Sequence, residues 1–211
     1  MNRHAHKIMS ITIATCCICL SVVVTGGGAP TTASLIPLPV TIEYGQGAFT
    51  ITQATRVVAE GDAATEAAKL VDALAPAMGF RLKVADDPNA AKGGIRLKTD
   101  STLSGRLGEE GYELDVTAES VVIRAAKPAG LFYGIQTFRQ LLPPAVCGSR
   151  TIENVEWAVP CVRVTDYPRF QWRGLLIDPA RHFIPVREVE KFIDAMALHK
   201  FNRLQIHLTD D

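Results

Sequence analysis

An α+β domain whose sheet carries helices on one face, followed by a parallel βαβ unit, is the architecture expected of this chain. Between residues 34 and 165, short apolar runs typical of strands are interleaved with two amphipathic helical stripes. Beyond Pro168 the pattern changes to a nearly continuous apolar run, "WRGLLID", then a helical stripe, then a second short run, "RLQIHL". That order is the mark of two strands joined by a helical crossover, the first of them buried on both faces.

Residues 1–33 stand apart from the fold. Arg3 and Lys7 precede the uncharged "IMSITIATCCICLSVVV", and small residues run from Thr25 to Ala33, giving the three parts of a secretory signal peptide. No charged residue occurs between Lys7 and Glu43. The expectation is export with cleavage, into a periplasm or the medium, with no membrane attachment afterwards. The alternative is an anchor through residues 8–24, at the short edge of what spans a bilayer.

The α+β domain is assigned to residues 34–165. "LPVTIEYGQGAFTI" and "ATRVVAE" read as short strands broken by turns at Gly45 and Gly47. Asp62 is the expected N-cap of "AATEAAKLVDALAPAMG", in which Ala67, Leu70, Val71, Leu74 and Met78 repeat on one face and Gly79 stands where a helix ends. "GGIRLKTD", "EGYELDVTAESVVIRA" and "NVEWAVPCVRVTD" supply more strands, the middle one a hairpin through Thr117 to Ser120. "AGLFYGIQTFRQLL" is a second helix with Leu131, Ile135, Phe138 and Leu142 on its stripe, stopped by Pro143 and Pro144. Asp86 and Asp87, and likewise Glu109 and Glu110, are expected to be solvated surface, while Tyr112, Phe132 and Tyr133 belong to the core or a domain interface. Nothing in this domain gathers catalytic chemistry.

In residues 166–211, Pro168 marks the connection and Pro185 opens "VREVEKFIDAMALHKF". Val189, Ile193, Met196 and Lys200 step along one side of that helix with Phe192 beside them, Lys191, Asp194 and His199 face solvent, and Asn202 ends it. The two flanking strands must run parallel with a right-handed crossover.

Composition bounds the function. The chain has 211 residues, 47% hydrophobic and 21% charged, which is globular rather than disordered. Basic and acidic residues balance at 22 each, so no overall field favours nucleic acid or an anionic membrane, and a neutral partner such as a sugar is compatible. Cys16, Cys17 and Cys19 lie in the leader, which leaves Cys147 and Cys161 as a candidate disulfide in an oxidising compartment or as two small hydrophobes.

The chemistry gathers at one rim. Parallel strands present functional groups beyond their carboxyl ends. Asp178, Arg181 and His182 follow the first strand of the βαβ unit; His207, Asp210 and Asp211 follow the second. Arg181 is the candidate substrate-binding residue, because a guanidinium offers five donors in a fixed fork and can grip two neighbouring hydroxyls. Asp178 either serves that site or merely pairs with Arg181, and His182 either serves it or donates to a backbone carbonyl. Gln205 and His207 share one side of their strand; Leu204, Ile206 and Leu208 share the other.

"FQWRGLLIDPARHFIPVREVEKFIDAMALHKFNRLQIHLTDD" resembles the start of the catalytic barrel of the family 20 glycoside hydrolases, the β-N-acetylhexosaminidases. There, a strand ending in Asp-x-Ala/Ser-Arg-His-Phe is followed by one ending in His-Leu-x-Asp-Asp. "EGYELDV" followed by "AGLFYGIQTFRQLLP" resembles the family's preceding α+β domain, so the likeness covers nearly all of the chain after the leader. It implies that Arg181 hydrogen-bonds hydroxyls of a terminal N-acetylhexosamine, and that Asp210 or Asp211 lies beneath the site, coupled to a histidine and to the catalytic acid. Asp178, His182 and His207 would be supporting positions. It further implies a partner that is an N-acetylhexosamine-terminated glycan or chitooligosaccharide, and a reaction with no cofactor or metal.

Family members use an adjacent Asp-Glu on a later strand. The glutamic acid protonates the leaving oxygen, and the aspartate orients the substrate's acetamido group, whose carbonyl oxygen attacks the anomeric carbon; the outcome is retention. No Asp-Glu dipeptide occurs in the 211 residues. A (β/α)8 TIM barrel takes eight strands and about 250 residues, whereas about 45 follow the domain boundary. The expectation is therefore the first βαβ unit of a truncated barrel, lacking the catalytic pair and inactive alone.

Two other readings remain open at this stage. One is a metal-dependent barrel hydrolase holding zinc through His182, His207 and Asp210, although the sequence lacks a compact ligand motif and places Arg181 beside the cation. The other is a non-catalytic module that docks a glycan or a protein partner through the α+β domain.

Overall fold

The computed structural model describes residues 34–85 and 93–209. The leader, Asp86 and Asp87, and Asp210 and Asp211 lie outside the described residues. Strands β1 (Thr41–Thr50), β2 (Arg56–Glu60), β3 (Lys83–Ala85), β4 (Ile95–Thr99), β5 (Tyr112–Val116), β6 (Val121–Ala125) and β7 (Ala158–Asp166) form one sheet. Their order is β1-β7-β5-β6-β4-β2-β3. The half from β1 to β6 is antiparallel; β6, β4, β2 and β3 pair in parallel. Helices α1 (Ala64–Met78) and α3 (Pro128–Leu141) share a single core with this sheet, and a short α2 (Ser104–Leu107) links β4 to β5.

The two helices form where their stripes place them. Ala67, Leu70, Val71, Leu74 and Met78 of α1 are all buried, as are Leu131, Ile135, Phe138 and Leu142 at α3. Gly79 closes α1 with φ +72, its N–H bonded to Ala75 O at 3.0 Å, a left-handed C-cap that a Cβ would oppose by meeting Thr151 Cγ2 at 2.5 Å. The start of α1 differs from expectation. Ala63 occupies the N-cap position without a side-chain bond, and the Asp62 N–H is taken by Thr99 Oγ1 on β4 at 3.0 Å.

Gly45 and Gly47 do not break the first strand. β1 is continuous over ten residues, and its register against β7 shifts between Tyr44 and Ala48, so the glycines open a bulge, with Gly47 at φ +89. The Thr117–Ser120 hairpin is as expected, closed by Thr117 N–H to Ser120 O at 2.9 Å. The Cys147–Cys161 bond is not formed, and both thiols are free. Cys161 is buried against Gly45 and Gly47 of the bulge, whereas Cys147 is exposed at the end of a 3-10 turn (Pro144–Cys147) that packs on α1 through Val146.

The second part is the βαβ unit. β8 (Gly174–Ile177) and β9 (Arg203–Ile206) run parallel, Gly174 opposite Arg203 and Ile177 opposite Ile206, joined by α4 (Val186–Leu198). Met196 and Lys200 are the buried members of the stripe; Ile193 is exposed and Phe192 is half-buried. The helix stops at Leu198, short of Asn202, and Lys200 adopts a positive φ of 62 as the chain turns into β9.

Candidate functional site

The structure brings three of the expected rim residues together. Asp178 leaves the end of β8 and its Oδ1 accepts the Arg181 N–H at 3.2 Å, closing a tight turn. The same oxygen lies 3.3 Å from His207 Nδ1, just beyond β9, and Oδ2 lies 3.6 Å from Arg181 Nε. Backbone bonds seal the rim from Ala180 N–H to His207 O at 3.3 Å and from His207 N–H to Ile177 O at 3.0 Å. The Arg181 N–H, then His207 and the Arg181 charge, hold the Asp178 carboxyl below the ordinary aspartate range against a smaller opposing effect of burial. Arg181 keeps its side chain 71% exposed, so most of its donors face outward from the rim.

His182 is exposed and makes no side-chain hydrogen bond or ion pair among the described residues, so it does not join the cluster. Asp210 and Asp211 lie outside the described residues. Among the described residues no group of three His, Cys, Asp or Glu side chains converges as a metal site.

At the opposite ends of β8 and β9 the unit is fastened to the α+β domain. Lys200 Nζ is buried and donates to Asp166 Oδ2 at 2.7 Å and Tyr112 OH at 2.8 Å, while Tyr112 OH also bonds the same carboxylate oxygen at 3.0 Å. Burial pulls the Lys200 ammonium below its usual range, and Asp166 partly restores it. Burial, with Asp166 beside it, pushes the Tyr112 phenol well above its usual range. Arg173 pairs with Glu110 at 2.8 Å and lies over the Tyr133 ring at 5.2 Å. A cavity of about 290 Å³ adjoins this junction, lined by Leu38, Val40, Tyr133, Phe170 and Arg173. Tyr112 and Tyr133 thus serve the core and junction, as expected. Glu110 corrects the expectation of a solvated residue, since it is only partly exposed and bonded to both Arg173 and Asn202. Its "EE" setting gives no sequence sign of that partnership.

Comparison with known proteins bears on both parts. Residues 32–167 match the model of glycosyl hydrolase family 20, domain 2, and residues 170–211 match the glycosyl hydrolase family 20 catalytic domain. The chain belongs to glycosyl hydrolase family 20. It is 34% identical to a β-hexosaminidase of Porphyromonas gingivalis and 35% identical to a β-N-acetylhexosaminidase of Cellulomonas fimi, in each case over 84% of this chain. It spans 23% and 35% of those two relatives' lengths. A solved family 20 β-N-acetylhexosaminidase from Streptomyces coelicolor superposes with a TM-score of 0.75 at 40% identity, covering 83% of this chain and 35% of that one.

Proposed function

We propose that the protein carrying these residues is an exported, exo-acting β-N-acetylhexosaminidase. It removes terminal non-reducing N-acetylhexosamine from β-linked glycans or chitooligosaccharides. One observation carries this reading: Asp178, Arg181 and His207 meet at the carboxyl ends of two parallel strands, inside the stretch that matches the family's catalytic domain. Arg181 offers its outward donors to vicinal hydroxyls of the sugar, and Asp178 and His207 fix the turn from which it projects. The family likeness supports the substrate-assisted route. The acetamido oxygen attacks the anomeric carbon as the glycosidic bond breaks and an acid protonates the leaving oxygen; water then opens the ring so formed, with net retention.

The acid and its neighbouring aspartate are not among these 211 residues, which hold no Asp-Glu dipeptide. We read β8-α4-β9 as one unit of a (β/α)8 barrel, a reading supported by Leu176, Ile206 and Leu208, whose exposed apolar side chains are faces that neighbouring barrel elements would cover. The leader, a basic start at Arg3 and Lys7 followed by an uncharged apolar run, supports export. The test is an assay of the gene product that carries these residues on 4-nitrophenyl N-acetyl-β-D-glucosaminide and on the plain β-D-glucoside. Hydrolysis of the first alone is expected, with none from the 211-residue chain. Hydrolysis of the glucoside alone would overturn the assignment.

A further inference from the structure

Two short strands carry the rim, and four residues each is little on which to fix a register. A slip of one residue would turn every side chain of β9 to its other face. Asp178 and His207 are the next opposed pair after Ile177 and Ile206, so the contact at the rim exists only in the register observed. Besides the backbone bonds at the rim, a second set of contacts between the two strands lies at the far end, roughly 16 Å away at 3.3 Å per residue.

There, the residue preceding each strand bonds the other. Arg173 N–H donates to Asn202 Oδ1 at 3.0 Å, and Asn202 N–H donates to Arg173 O at 2.9 Å. Arg173 Nε also donates to Lys200 O at 2.8 Å. Across this pair stands one carboxylate from the α+β domain. Glu110 Oε2 lies 2.8 Å from Arg173 Nη1, and Glu110 Oε1 accepts from Asn202 Nδ2 at 3.2 Å. Each oxygen therefore engages the lead residue of one strand. Glu110 ends the turn that leads through Gly111 into β5, an interior strand of the seven-stranded sheet, so the bridging carboxylate belongs to the α+β domain and not to the unit it holds.

We infer that Glu110 is a positioning residue for the sugar site, acting through Arg173 and Asn202 to lock β8 against β9 so that Asp178, Arg181 and His207 meet. This rests on the function proposed above, and it gives the α+β domain a part in binding that its lack of catalytic side chains conceals. Because Glu110 contacts the strands only at the end away from the rim, its removal acts on their geometry.

The test uses the gene product with Glu110→Ala. The expected result is a KM for the N-acetylglucosaminide raised about tenfold, short of the hundredfold that a 1 Å misplacement can cost. The Ala180 and His207 amides should exchange with solvent about tenfold faster while those of β5 and β7 keep their protection. Glu110→Gln, which keeps an acceptor for Asn202 without the charge on Arg173, should fall between the two. A merely structural role would lower the active fraction and hence apparent kcat, leaving KM and the rim amides unchanged, and that result would overturn the inference. If Glu110→Ala does not fold, Asn202→Ala, which leaves the Glu110–Arg173 pair, carries the same readouts. A wild-type protein that cleaves no N-acetylhexosaminide would strike the proposed function instead, and unaltered Ala180 and His207 exchange in the variant would strike the lock itself.

Discussion

At the scale of single residues, the rim turns on Asp178. Its carboxylate accepts the Arg181 N–H and faces His207, and both interactions favour the ionised form. A carboxyl whose folded pKa is depressed adds stability above its unfolded pKa and loses it as pH falls through the folded value. The rim turn should therefore hold at neutral pH and loosen only below roughly pH 4. Carboxyl-carbon NMR of Asp178 should give a midpoint below the ordinary value, and His207→Phe should move it only part of the way back, because the Arg181 N–H is the larger cause. A full return on losing the imidazole would show that ranking to be mistaken. Arg181→Ala tests the other half of the rim. A charge-assisted hydrogen bond is worth about 1.5–3 kcal/mol, so KM for the N-acetylglucosaminide should rise roughly ten- to a hundredfold. Unfolding free energy should stay within about 0.5 kcal/mol, since the side chain is largely in water. The place of Arg181 on the rim was legible in the sequence because a strand end and the short turn after it are local features. Glu110 was not, because a carboxylate that bridges residues 63 and 92 positions away looks locally like any other surface acid.

Among the elements, the helices were the most readable and the sheet the least. The stripes on α1 and α3 follow from a period that any local window displays, and the structure buries them as expected. β1 was misread because glycine pairs signal both turns and bulges, and only the partner strand β7, more than a hundred residues later, decides between them. The short β3 and the parallel pairing of β6, β4 and β2 were equally hidden, since pairing direction is set by the crossovers. The end of α4 shows how an element is fixed by a group that its own pattern disguises. Lys200 continues an apolar stripe, yet its ammonium is buried on Asp166 and Tyr112. Lys200→Met should cost about 3–5 kcal/mol in urea unfolding, because the Asp166 carboxylate is left buried without its counter-ion. The double variant Lys200→Met with Asp166→Asn should recover part of that loss. A single variant as stable as the wild type would mean that the pair is not desolvated as the geometry requires.

For the molecule as a whole, the two parts differ in how they are held. Every residue of the main core lies between Leu35 and Val164, so the α+β domain buries its apolar faces without help from the βαβ unit. Among the described residues the unit adds Ile177 and Met196 to the buried apolar side chains and is fastened largely by polar links: Arg173 to Glu110, Lys200 to Asp166, and Gln140 to Leu198 O. Several of its other apolar side chains face water, with Phe183 86%, Trp172 73% and Leu208 71% exposed, and both of its strands have an open edge. Contiguous apolar surface beside open strand edges favours association. Residues 34–211 should therefore sediment as larger species as concentration rises, while residues 34–167 stay monomeric over the same range. Leu208→Lys, placing a charge on the uncovered face of β9, should shift the longer chain toward monomer. The comparison leaves the leader out of both proteins, so its apolar run cannot account for a difference. Equal sedimentation of the two would mean that these side chains find cover within one chain, and the reading of β8-α4-β9 as a single barrel unit with faces awaiting neighbours would fail with it.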